Sequence, residues 1–157
     1  MDCRSLLARV YALGSRGIDL GLDRMRAAAD ALGSSAKPLR CVQIAGTNGK
    51  GVVALLLDGG ARESGLSTGL FTSPHLHRYT ERFRVNGVEI SEEGLAPHLR
   101  RALALTAPPF DLPLTFFEAT TCAALSLFMD RGVDLAVMEV GLGGRLVTGA
   151  PKTDRLV

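Results

Sequence analysis

The segment from Cys41 to Leu57 admits few folds. Cys41-Val42-Gln43-Ile44-Ala45 is a mostly apolar run of strand length, Gly46-Thr47-Asn48-Gly49-Lys50-Gly51 follows with three glycines and one lysine, and Val52-Val53-Ala54-Leu55-Leu56-Leu57 then opens a helix. A buried strand that hands a glycine-rich turn to a helix N-terminus is the geometry of a phosphate-binding loop. The glycines let backbone N–H groups converge on a phosphate, the helix end adds partial positive charge, and the lysine reaches the outer phosphates. The strict Walker pattern puts glycine at position 44 and a hydroxyl straight after the lysine, where Ile44 and Gly51 stand, so this loop is a variant. The plain alternative, a glycine turn with a solvated Lys50, leaves the agreement of glycine spacing, lysine and flanking apolar runs unexplained.

Around this anchor the pattern predicts alternating elements. Ser5–Leu13 and Leu20–Leu32 read as helices, the second stopped by Gly33 and the loop to Pro38. A strand over 40–45, a helix to Glu63 stopped by Ser64-Gly65, and a strand over 67–71 follow. Glu81–Val85 and Val88–Ile90 flank Asn86-Gly87, a strong hairpin signal. Ser91 caps a helix to about Leu105, Pro108, Pro109 and Pro113 break the chain, Thr115–Met129 returns to helical spacing with Arg131-Gly132 as its stop, and Asp134–Val140 is an apolar strand carrying Glu139. Strands separated by helices predict an α/β fold with an incomplete P-loop-type, mostly parallel sheet flanked by helices on both faces and a small β-hairpin insertion.

Composition narrows the function classes. At 157 residues with 46% hydrophobic and 22% charged residues, the chain is one globular domain in size. A net charge of +2, with arginines scattered among acids, argues against a nucleic-acid or membrane partner. Cys3, Cys41 and Cys122 are odd in number and widely spaced, as expected of reduced thiols, and no long apolar segment follows the N-terminus, so a cytoplasmic location is expected.

Three further segments carry chemistry. In Phe71-Thr72-Ser73-Pro74-His75-Leu76, at the C-terminal end of a strand where open α/β sheets bind ligands, Ser73 is either a turn cap beside an exposed His75 or an oxygen ligand for Mg²⁺. In Thr115-Phe116-Phe117-Glu118, the threonine caps a helix and the aromatic pair either fills the core or faces a flat ligand. In Glu139-Val140-Gly141-Leu142-Gly143-Gly144-Arg145, a carboxylate ends a buried strand beside the phosphate loop, a costly position unless paired or metal-bound; Glu139 is therefore a candidate Mg²⁺ ligand. Its glycines do not form the dinucleotide-binding fingerprint.

These four segments, in this order, resemble the folylpolyglutamate synthase and dihydrofolate synthase family within the Mur ligase superfamily. Gly46 to Gly51 is similar to that family's ATP loop, Thr72–Leu76 with Glu81–Ser91 to its second signature, Thr115–Glu118 and Glu139–Leu146 to the third and fourth, and Gly17–Leu22 to a lead-in helix. The resemblance implies a ligase of folate biosynthesis and one-carbon metabolism that uses ATP and Mg²⁺. Such an enzyme joins L-glutamate to dihydropteroate or folate through an acyl phosphate, and its partners are small molecules. It implies that Gly46, Thr47, Asn48, Gly49, Lys50 and Gly51 hold the phosphates, that Lys50 and Glu139 are catalytic, that Ser73 and Glu139 ligate the metal, and that Thr115, Phe117, Gly143 and Gly144 line the pterin site. A monomer is expected for an intact member.

The chain also departs from the family pattern. Val52 stands where a hydroxyl residue usually follows the loop, and Val147-Thr148-Gly149-Ala150 replaces an Asp-Ala-Thr-Asn type sequence. Residues 1–146 are therefore expected to be the N-terminal part of a Mur-ligase-type ATP-binding domain and 147–157 a divergent tail, from truncation or frameshift of a roughly 400-residue product, without the C-terminal glutamate-ligase domain. A non-catalytic nucleotide-binding fragment is the alternative, and an unrelated P-loop kinase a more distant one.

Overall fold

A computed structural model describes residues 2–16, 23–33 and 39–140. The expected lead-in at Gly17–Leu22, the loop to Pro38, the Gly143-Gly144 turn and the tail 147–157 lie outside the described residues.

Among the described residues the α-helices and β-strands follow in chain order: α1 Cys3–Ala12, α2 Asp23–Ala31, β1 Cys41–Ile44, α3 Lys50–Glu63, β2 Thr68–Phe71, β3 Phe83–Val85, β4 Val88–Glu89, α4 Glu92–Ala104, α5 Phe116–Arg131 and β5 Leu135–Glu139. They form one five-stranded sheet of order β1-β5-β2-β3-β4. β5 runs parallel between β1 and β2, and the β3–β4 hairpin extends the sheet antiparallel from β2. Parallel strands need a long crossover between them, and α3 supplies one between β1 and β2. Asn86 and Gly87, at φ 50° and 78°, make the tight turn, with both central residues in the left-handed region that this turn demands.

Local signals set the helix ends. Asp2 accepts from the Ser5 amide, Ser91 Oγ from the Gly94 amide, and Thr115 Oγ1 from the Glu118 amide, each satisfying an N-terminal donor left over by the helix. Gly132 closes α5 in the left-handed conformation. One expectation fails: residues 81 and 82 belong to a 3₁₀ turn over Tyr79–Arg82 instead of to β3. The Glu81 carboxylate accepts from the amides of Leu76, Arg78 and His77, winding the chain into a turn that alternation alone reads as strand.

The two faces of the sheet are covered unequally. α1, α2, α4 and α5 gather on one face over a core that includes Leu6, Val10, Met25, Phe71, Leu99, Phe128 and Met138. Contact there is so close that a Cβ on Gly69 would sit 2.4 Å from the Phe128 ring. The other face holds α3, packed through Ala54 on Ile44, Leu70 and Val137. Buried Asp58 ties α3 to the sheet, accepting from the Thr68 hydroxyl at 2.6 Å and from Arg62 Nε at 3.0 Å. No helix among the described residues is long and apolar enough to cross a membrane.

Candidate functional site

The C-terminal ends of β1, β5 and β2 converge at one edge of the sheet. Ile44 is the register partner of Glu139, and the Val140 amide donates to Ile44 O at 3.1 Å. The loop then turns through Gly46 (φ 152°) and Gly49 (φ 76°), conformations that favour glycine, and Gly49 is the N-cap of α3. Residues 45–49 are exposed. Lys50 Nζ donates to Gly46 O at 2.9 Å and touches Thr47 O at 3.5 Å, so the ammonium lies across the loop that its own segment forms. A positive helix end, outward backbone and a lysine over the turn suit an anion.

Glu139 is only 5% exposed. The Ser73 amide donates to its Oε2 at 3.0 Å, and a Cβ on Gly51 would lie 3.6 Å from the same oxygen. Three segments far apart in sequence therefore meet at one carboxylate. Among the described residues one N–H donates to that carboxylate, which leaves most of its lone-pair capacity unfilled in a buried place, an arrangement that a divalent cation relieves. No group of three or more His, Cys, Asp or Glu side chains gathers among the described residues. That fits Mg²⁺, which binds through one or two carboxylates and completes its shell with water and phosphate oxygens.

Beside this edge, the 72–82 segment builds a second arrangement that sequence reasoning missed. Its three amides hold the Glu81 carboxyl down to about 2, Leu76 contributing most, then Arg78 and His77. Arg82, buried, donates from Nε to His75 Nδ1 at 2.8 Å, with its guanidinium carbon 5.8 Å from the Tyr79 ring centroid and 5.6 Å from that of Phe116. An arginine Nε can only donate, so His75 Nδ1 accepts and the neutral imidazole carries its proton on Nε2, which faces Tyr11 Oη at 3.3 Å. Burial, and then the Arg82 charge, hold His75 below its ordinary value against the pull of Glu81. Tyr11 stacks on Phe116 at 5.2 Å, and the Tyr79 hydroxyl donates to Thr120 at 2.8 Å. A buried cation framed by aromatic rings is chemically suited to an anionic group carried on a flat body.

The aromatic pair of α5 divides. Phe116 faces the Arg82 cluster, whereas Phe117 packs toward Phe71, ring centroids 6.0 Å apart. The Thr115 hydroxyl is occupied by the helix cap, and Glu118 completes it by accepting the Thr115 amide at 2.8 Å and Arg24 at 3.0 Å. Gly46 to Gly51, Ser73 and Glu139 are thus brought together. Thr115 and Phe117 lie at the start of α5, and Gly143 and Gly144 are outside the described residues. The signal that points to the missed cluster is Glu81, a carboxylate three to five residues after a run of amides that no strand or helix satisfies.

No protein-family model matches the chain. Dihydrofolate synthase/folylpolyglutamate synthase of Escherichia coli (strain K12) is 40% identical over 142 residues, 90% of this chain and 33% of that protein. The solved structure of E. coli FolC in complex with DHPP and ADP aligns at TM-score 0.85 and 39% identity, over 95% of this chain and 35% of that one. Bifunctional folylpolyglutamate synthase/dihydrofolate synthase from Yersinia pestis, complexed with AMPPNP and Mn ion, aligns at TM-score 0.80 and 39% identity, over 93% and 35%. The chain spans between 15% and 33% of the length of these and other curated relatives it matches.

Proposed function

Because the chain belongs to the folylpolyglutamate synthase/dihydrofolate synthase family, we propose that it carries the nucleotide-binding part of an ATP-dependent ligase joining L-glutamate to dihydropteroate or folate. The observation that carries this reading is the meeting of the glycine–lysine loop, Ser73 and Glu139 at the edge where parallel strands end. Complexes of its relatives with ADP, with DHPP and with AMPPNP and Mn ion support it.

In this reading the amides of Gly46 to Gly51 cradle the ATP phosphates and Lys50 steadies the transferred group. Ser73 and Glu139 would hold Mg²⁺, which when bound would neutralise phosphate charge. The acceptor carboxylate oxygen bonds to the γ-phosphorus as the bond to the ADP oxygen breaks. The glutamate amine then attacks the acyl carbon, inorganic phosphate leaves, and the amine gives up a proton. Thr115, Phe117, Gly143 and Gly144 line the pterin side. Residues 1–146 are the N-terminal part of a Mur-ligase-type ATP-binding domain and 147–157 a divergent tail, in a monomeric cytoplasmic protein.

A second reading, nucleotide binding without ligation, needs only the phosphate loop, Ser73 and Glu139, the parts that meet among the described residues. Calorimetry with Mg-ATP, followed by an ADP-release assay with dihydropteroate and L-glutamate, tests both. Saturable heat with ADP release supports the ligase, saturable heat alone the second reading, and heat equal to buffer contradicts both.

A further inference from the structure

Arg82 is 6% exposed, yet among the described residues it has no carboxylate partner in a salt bridge. A largely covered guanidinium is ordinarily paired; the Arg82 Nη atoms are not among the buried side-chain atoms left without any partner in the described residues, so this charge is not sealed away unpaired. Its Nε is committed to His75 and its faces to Tyr79 and Phe116, which leaves the terminal Nη edge without a hydrogen-bond partner among the described residues. That edge is the part of arginine that grips a planar oxyanion with two parallel hydrogen bonds.

Position narrows which oxyanion this is. Arg82 follows the loop that starts at Ser73 on the Glu139 carboxylate, and the negative charge of Glu139 acts on it. The rings of Tyr79 and Phe116 stand against its guanidinium, with Tyr11 in contact with both. An acid that must be phosphorylated has to present its carboxylate toward the nucleotide while its flat body lies away from it, and Arg82 adjoins the aromatic rings while feeling the Glu139 charge. We infer that Arg82 binds the carboxylate of an aromatic acid acceptor, with His75 as the positioning residue that holds the guanidinium in plane. The inference rests on the proposed ligase reading and adds to it the residue that recognises the acid.

Two carboxyl-differing probes test it on the whole chain in saturating Mg-ATP: dihydropteroate, and the analogue with hydrogen in place of the benzoate carboxylate. The wild type should bind the acid roughly tenfold to a hundredfold more tightly than the analogue, the range expected for a charge-assisted pair. Arg82→Gln should bind both alike while Mg-ATP affinity stays as in the wild type. Should Arg82→Gln lose its folded circular-dichroism signature, Arg82→Lys takes its place; it retains charge and stem, loses the fork, and should lose most of the discrimination. His75→Asn, whose amide oxygen replaces Nδ1 as acceptor, should keep the preference for the acid, and His75→Ala should reduce it. An undiminished preference in the Arg82 variants overturns the inference and leaves the ligase reading standing. Equal loss of acid and nucleotide binding also overturns it, assigning Arg82 to the fold or the phosphates. A wild type that binds Mg-ATP and neither probe removes the acceptor reading and the inference with it.

Discussion

The two faces of the sheet differ in what they are built for. The face under α1, α2, α4 and α5 is a closed apolar layer in which α5 is buried almost all round, from Ala119 to Met129. The α3 face rests on a small cluster, and the outer side of that helix shows Val52 and Leu56 to solvent at 62% and 71% exposure. The residues proposed to bind nucleotide lie at the N-terminus of α3, on the lightly packed side, while the heavily packed side holds the strands in register. Stability and chemistry are thus carried by different layers, and the strand ends between them are where the two meet.

Substitutions in each layer sharpen that contrast. Phe128→Ala, at the closest approach of α5 to Gly69, should cost about 4 kcal/mol in denaturant unfolding, through a cavity that the surrounding helices cannot close. A loss below about 1 kcal/mol would mean that the α5 layer is not the stabilising one.

A smaller effect on the same layer is pH-dependent. His98 on α4 faces Ser126 at 3.0 Å, and burial holds its imidazole below the ordinary value, aided by Arg101 and Arg131 and opposed by Asp130. The folded state therefore binds its proton less readily than the unfolded chain. The stability tied to neutral His98 is complete above its unfolded value near 6.5 and is lost as pH falls through the lower folded value. Melting temperature should drop on acidification across that window, and His98→Asn should flatten the slope; an unchanged slope would place the sensitivity elsewhere.

Least of all is expected on the α3 outer side. Leu56→Ser should change unfolding free energy by no more than about 0.5 kcal/mol, measured by the same denaturant titration, because the side chain is already in water. A larger loss would show that this face is packed in solution.

Much of this arrangement is legible in the sequence because its signals are local. The phosphate loop, the Asn86-Gly87 hairpin, the Ser91 and Thr115 caps and the stops at Gly65 and Gly132 each depend on neighbours a few residues away. Glu139 is legible too, since a lone acid in an apolar strand implies a partner. The Arg82 cluster is not, because it joins Tyr11 to His75 and Tyr79 to Thr120 across 64 and 41 residues, distances that no periodicity encodes. Arg24 with Glu118, 94 residues apart, is hidden for the same reason. The unequal covering of the two faces was also missed, since apolar periodicity in Val52–Leu57 does not say which side of the helix meets the sheet.

The central claim is that the Lys50 loop and Glu139 serve one nucleotide–metal site, and ATP titration with and without divalent metal tests it most directly. Wild-type chain should bind ATP at least roughly tenfold more tightly with Mg²⁺, and Glu139→Gln should abolish that gain while metal-free binding to the loop persists. A Glu139→Gln chain that keeps the full metal dependence would contradict the account.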